Sequence, residues 1–150
     1  MRVVRFSIVV ALLTALAISG LAVFADTGKK ADNQAAMRGE KLYATYCQAC
    51  HRKDGAGEAL VPWSIRRPGY FSAPALDDSQ HAWHHTDDSL VKTILEGSPR
   101  SKRKPALKDV LSEKDARDIV AYIKSLWGPR ALACQGPKHM SCPPESKPAR

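Results

Sequence analysis

Two cysteines and a histidine in one short run, Cys47-Gln48-Ala49-Cys50-His51, are the residues whose types and spacing could do chemistry. In a C-x-x-C-H run each thiol can add to one vinyl group of a porphyrin, and the two intervening residues set the sulfurs at a suitable separation. The next residue, His51, then projects its imidazole at the iron as the proximal ligand. The pattern predicts one covalent haem c, anchored by Cys47 and Cys50 and ligated by His51. Two other chemistries use parts of it. A thioredoxin-like dithiol belongs in a βαβ pattern, and none surrounds the motif. A zinc site would need two more ligands, from His84, His85 or the tail cysteines.

The elements that must position these residues follow from a chain of 150 residues, a length suited to one domain. Arg2 and Arg5 precede an apolar run from Phe6 to Phe24, and Val23-Phe24-Ala25 supplies a small-residue exit. This is the pattern of a signal peptide over residues 1–25. Left uncut, residues 6–25 are long enough to anchor the protein in a membrane. Either outcome places the domain outside the cytoplasm, in the periplasm or an equivalent space where cysteines oxidise. Beyond the leader roughly 38% of the residues are apolar, which implies a modest core. A porphyrin would complete it. The net charge of +8 favours acidic partner surfaces. It is too scattered to argue for nucleic acid, and no second segment is long enough to span a bilayer.

Residues 26–32 read as a linker, with Asn33 placed to cap a helix that runs to about Tyr46. Ala36, Gly39, Leu42, Tyr43 and Tyr46 recur along it at helical spacing. Residues 52–85 are rich in Gly, Pro, Asp and Ser and predict an irregular stretch, long enough to need something to wrap. A second helix starts at Thr86, carries a stripe of Leu90, Val91, Ile94 and Leu95, and stops at Gly97. Ser112 caps a last helix, with Asp115 completing a variant capping box. Its apolar face holds Ile119, Val120, Ile123, Leu126 and Trp127, and Gly128-Pro129 ends it. The stretch 129–150 is a Pro-rich tail without periodicity. No strand pattern is present, so the fold class is all-α.

In combination these features resemble the mono-haem class I cytochromes c of bacterial type, over residues 33–128. Gly39 and Tyr43 ahead of Cys47 are similar to that family's N-terminal helix, where the small residue lets the C-terminal helix approach. Leu111-Ser112-Glu113-Lys114-Asp115 followed by Val120-Ala121-Tyr122-Ile123, with Leu126, is similar to its final helix. His81-Ala82-Trp83-His84-His85 with Asp87 resembles a bacterial subset. The resemblance implies a small cytochrome c fold around one haem and one-electron transfer as the activity. It also implies that Pro62 offers its carbonyl to the second N–H of His51, a contact that orients the ring.

The resemblance leaves the sixth iron ligand open. The family's usual Met-Pro is replaced by Lys104-Pro105. Lys104 could ligate through a neutral amine, Met140 or His139 could fold back from the tail, or the site could be open. Met37 reads as a packing residue. His81, His84 and His85 read as loop or propionate contacts, and Lys104 also reads as a solvated member of the basic loop Arg100, Lys102, Arg103, Lys104 and Lys108. That loop suits docking on acidic redox partners or is an ordinary solvated face. An amine ligand would lower the potential relative to a thioether, whereas an open site would move the protein toward gas sensing or weak peroxidase chemistry. Cys134 and Cys142 flank Gly136-Pro137 and read as a local disulfide, with a copper site including His139 and Met140 as the alternative. A third functional reading is a haem subunit of a larger redox complex.

Overall fold

The computed structural model describes residues 32–143. The expected leader, most of the linker and the last residues of the tail lie outside the described residues. The chain divides into Met1–Gln34 and Ala35–Arg150, and the second unit holds nearly all of the described residues. Five α-helices form the framework among them. They are α1 over residues 32–46, α2 Gln48–His51, α3 Asp87–Glu96, α4 Glu113–Ser125 and α5 Pro129–Ala133. Short 3-10 turns form at Trp63–Ile65, Ala82–His84 and Gly136–Ser141. No strand occurs among the described residues, and none of their helices is long and apolar enough to cross a membrane. The fold is all-α.

Helix α4 forms because its ends are capped and one face is apolar. Ser112 Oγ accepts from Asp115 N at 3.1 Å, and Asp115 Oδ2 accepts from Ser112 N at 3.0 Å, which closes the capping box. Ala116, Ile119, Val120 and Ile123 recur at spacings of three and four and are buried. In α3, Thr86 Oγ1 accepts from Ser89 N at 3.2 Å. Gly97 then leaves the helix at φ +78°, a region that L side chains rarely adopt. Val91 and Ile94 of α3 pack toward α4 in the common core.

Helix α1 crosses α4 at Gly39. A Cβ built there would stand 1.8 Å from the Asp118 carbonyl oxygen, so only hydrogen fits. Behind the crossing, Tyr43 and Ile119 are completely buried. Asp118 lies at the same place, 5% exposed. Its carboxylate accepts from Arg38 Nε at 2.7 Å, Arg38 Nη2 at 2.9 Å and Lys114 Nζ at 2.7 Å. A buried charge is tolerated when its partners satisfy it this fully.

Two boundaries differ from expectation. Asp32 is already helical, so Asn33 lies inside α1 rather than at its cap. The segment after Gly128 is ordered: Pro129 occupies the first turn of α5, where its fixed φ and missing N–H suit a helix start. Ala131 and Cys134 are buried in the same core as α4. Cys134 is joined to Cys142 in a disulfide with Cα atoms 6.0 Å apart. Apolar periodicity could not reveal an element of five residues.

Gly39→Ala is expected to cost about 3 kcal/mol through overpacking at a backbone contact that cannot yield. The melting temperature should fall by roughly 10 °C. Thermal unfolding followed by circular dichroism checks this, and an unchanged midpoint would show that the helices can separate cheaply.

Candidate functional site

The Cys47–His51 run folds as a single helical turn at the end of α1. Cys47 N donates to Tyr43 O at 2.8 Å, and His51 N donates to Cys47 O at 2.9 Å. Both thiols are free, with Cys47 buried and Cys50 partly exposed. Burial pushes the Cys47 thiol above its ordinary pKa, against the pull of Lys104.

Two tyrosines direct the chain away from this turn. Tyr43 of α1 and Tyr122 of α4 lie with ring centroids 4.9 Å apart. Tyr43 Oη donates to Arg52 O at 2.8 Å, and Tyr122 Oη donates to Lys53 O at 2.9 Å. Arg52 itself sits at φ +62°, unusual for a residue with a side chain, and these bonds hold it there. Gly57 N then donates to His51 O at 3.0 Å, which curls the chain back under the histidine.

His51 Nδ1 lies 2.8 Å from Pro74 O. A carbonyl can only accept, so Nδ1 carries the proton and the lone pair is left on Nε2. Burial lowers the His51 pKa against the opposing bond to Pro74, which favours the neutral ring that metal ligation requires. This corrects the expectation placed on Pro62. Its carbonyl instead accepts from Ile65 N at 3.1 Å, closing the 3-10 turn Trp63–Ile65. Pro74 reaches His51 because residues 57–61 run beside residues 72–74. Glu58 N donates to Ala73 O at 2.9 Å, and Ala73 N donates to Glu58 Oε2 at 2.9 Å. Ser72 Oγ donates to Ala59 O at 2.9 Å. Gly57 permits the approach, since a Cβ there would meet Ala73 O at 2.6 Å.

The loop between α3 and α4 brings Lys104 to the same place. Lys104 N donates to Ser101 O at 3.2 Å, and Ser98 N donates to Lys104 O at 3.3 Å. Its amine is partly buried, interacts electrostatically with Cys47, Cys50 and His51, and has its pKa lowered by burial. Arg103 points to Glu58, with Nη1–Oε2 and Nη2–Oε1 both at 2.6 Å. That pairing, with the Ala73 N–H, holds the Glu58 carboxyl down at about 2. Of the five cations in the basic loop, Arg103 is thus neutralised and Lys104 turned inward. Arg100, Lys102 and Lys108 remain exposed. Nothing in the sequence marks Glu58 as a site residue, because a lone acid 45 residues from its partner carries no local signal.

Met140 is 82% exposed on the turn Gly136–Ser141. Met37, read above as a packing residue, is instead exposed on α1. The His81 ring centroid lies 6.2 Å from that of His84 and 6.0 Å from that of His85. No group of three or more metal-ligating side chains occurs among the described residues. The disulfide occupies both tail thiols.

The residues present fit a covalent iron porphyrin. Two free thiols and an imidazole with its Nδ1 already taken lie on one turn. Leu60, Val61, Trp63, Ile65, Tyr70 and Phe71 lie exposed along the following loop, with Trp63 83% exposed. So much apolar surface on one segment of a small domain marks a site for a ligand or partner.

Known proteins resemble this chain over most of the described residues. The family model described as cytochrome c oxidase, cbb3-type, subunit III matches residues 34–123. The chain is 29% identical over 96 residues to the gluconate 2-dehydrogenase cytochrome c subunit of Pantoea cypripedii, covering 63% of this chain and 21% of that protein. It is 27% identical over 107 residues to the cytochrome c subunit of the quinone alcohol dehydrogenase of Gluconacetobacter polyoxogenes, covering 66% of this chain and 20% of that one. It is 26% identical over 121 residues to a nicotinate dehydrogenase subunit of Pseudomonas putida, covering 77% of this chain and 9% of that protein. The chain therefore spans about a fifth or less of the length of these curated relatives.

The low Glu58 pKa carries a pH dependence. A carboxyl whose folded pKa is about 2, against an ordinary 4.5, adds stability above the ordinary value. That contribution disappears as pH falls through this window. Glu58→Gln should therefore show a shallower acid-unfolding limb than the parent between those pH values. Tryptophan fluorescence against pH checks it, and superimposable limbs would show that the pairing contributes nothing to folding.

Proposed function

This chain belongs to the c-type cytochrome family, and we propose that it is a mono-haem electron-transfer protein serving a larger oxidoreductase. The observation that carries the reading is the His51–Pro74 bond beside two free thiols, a ready-made proximal ligand next to its covalent anchors. When bound, haem c supplies an iron that accepts and returns one electron. The chain's own residues do the rest. Cys47 and Cys50 would hold the porphyrin covalently as thioethers, each S–H adding across one vinyl group with no leaving group. His51 offers Nε2 to the iron, and Pro74 O fixes the ring plane and raises its basicity.

Lys104 is the candidate for the sixth position. Its partly buried amine interacts with Cys47, Cys50 and His51, whereas Met140 is exposed on a turn of the tail. An amine in place of a thioether sets a lower potential. No step of this activity needs substrate chemistry, so the domain itself is a carrier rather than an enzyme. The names of the relatives support a cytochrome subunit passing electrons from a dehydrogenase. Arg100, Lys102 and Lys108 would guide encounter with an acidic partner surface, a rate effect more than an affinity effect. The sequence of residues 1–25 and the Cys134–Cys142 disulfide support an exported, periplasmic protein, anchored only if that leader is retained.

The test is the visible spectrum of the exported ferrous protein with and without CO. A low-spin spectrum that CO leaves unchanged on mixing is expected, with CO displacing the sixth ligand only slowly. Lys104→Met should stay low-spin and raise the potential by on the order of 0.1 V, within the roughly 0.8 V that axial ligands command. A high-spin parent that takes up CO would replace the carrier with an open-site haem protein, a gas sensor or weak peroxidase.

A further inference from the structure

We propose that Glu58 and Arg103 form a latch that holds Lys104 over the Cys47–His51 turn, making both of them positioning residues for the sixth ligand. The proposal rests on the Lys104 reading above and adds residues that local sequence pattern does not mark. Its basis is where the pair attaches. Arg103 immediately precedes Lys104, and its guanidinium meets Glu58 in a two-pronged contact at 2.6 Å on each arm. The same guanidinium donates to Phe71 O at 3.3 Å and lies 3.9 Å from Cys50 Sγ. Glu58 in turn accepts from Ala73 N at 2.9 Å, and Ala73 adjoins the Pro74 carbonyl that faces His51. One ion pair thus joins the loop bearing Lys104, the segment that orients His51 and the anchor Cys50.

The pair differs in kind from the surface pairs within one helix, and shares its two-pronged, long-range character with Arg38–Asp118 at the α1–α4 crossing. Lys92–Glu96 and Arg117–Glu113 each span one turn of a single helix and stand well exposed. Such pairs contribute little. Arg103 and Glu58 side chains are 37% and 30% exposed and meet fork to fork, the geometry in which a guanidinium–carboxylate contact gains strength and direction. Beyond its own turn, the Lys104 loop is also tied by Lys102 N to Gly69 O at 2.8 Å. That bond lies on the opposite side of Arg103 from Lys104. Beyond Lys104, Leu107 N and Lys108 N both donate to Leu95 O at 3.0 Å, so backbone bonds fix the two ends of the loop and the Arg103–Glu58 contact ties the stretch between them to the segment beside His51. Arg103→Lys keeps the charge and loses the fork, so it separates direction from electrostatics.

The experiment compares the holoprotein with Arg103→Gln, Arg103→Lys, Glu58→Gln and the double variant, alongside Lys104→Ala. Two readouts are followed: the rate of CO binding to the ferrous protein and amide hydrogen exchange over residues 98–106. Arg103→Gln is expected to speed both by about tenfold or more, the size of a lost charge-assisted contact. Arg103→Lys should fall between, and the double variant should match the single ones, since the two residues act as a unit. If Arg103→Gln does not fold, Glu58→Gln and Arg103→Lys give the same comparison. Parent-like rates in the folded variants, with Lys104→Ala open to CO, would overturn the latch and leave the ligand reading standing. A Lys104→Ala protein with the parent's spectrum and CO response would overturn the ligand reading and the latch with it.

Discussion

The close crossing of α1 and α4 at Gly39 is the contact on which the site depends. With only a hydrogen between the two backbones, the helices approach until the Tyr43 and Tyr122 rings meet at a tilt, with centroids 4.9 Å apart. That position lets each phenol reach one backbone carbonyl just past His51. A wider crossing would withdraw both hydroxyls and release Arg52 from its positive φ. The charge at the crossing is consistent with this role. Asp118 is buried there because Arg38 from α1 and Lys114 from α4 both reach it, so the ion network spans the two helices it brings together.

From the exit of the motif turn, order passes into a long segment without regular structure. Backbone groups in such a segment need partners from elsewhere. Here glycines and side chains supply them. Leu76 N donates to Gly55 O at 2.7 Å, and Trp127 Nε1 donates to Leu76 O at 2.8 Å. Asp78 Oδ2 accepts from Gly128 N at 2.7 Å, which ties the same loop to the start of α5. The C-terminal segment adds a cover on the far end. Gln135 Nε2 donates to His85 O at 3.0 Å and to Asp87 Oδ1 at 2.6 Å, and Lys124 Nζ meets the same carboxylate. Arg130 lies over the Trp83 ring, 5.2 Å from its centroid.

Electrostatics around the motif is arranged by segment rather than by overall charge. The chain is basic, yet the cation nearest in sequence to Lys104 is cancelled by Glu58, and Lys104 itself is partly withdrawn from water. Reading the basic loop as a uniform docking face therefore overstates it. A loop of five cations becomes one half-exposed ion pair, one partly buried amine and three surface charges. This sorting cannot be read from composition, because it depends on which acid the loop meets.

The legible parts were those written in local spacing. Residues three and four apart on α4 share a face, a serine three residues ahead of an aspartate closes a capping box, and two cysteines three apart with a following histidine form one turn. The helical core and the turn that carries Cys47, Cys50 and His51 follow from such patterns. Local spacing could not choose the carbonyl that meets His51, since Pro74 rather than Pro62 arrives there only after residues 57–61 and 72–74 run side by side. Nor could it pair Glu58 with Arg103 or reveal the short helix after Gly128. Bonds within one helical turn are fixed by the chain's own geometry, whereas contacts between distant loops depend on the path that packing imposes. By itself the sequence determined the all-α class and the motif turn; the tertiary structure decided which carbonyl faces the histidine and which acid meets Arg103.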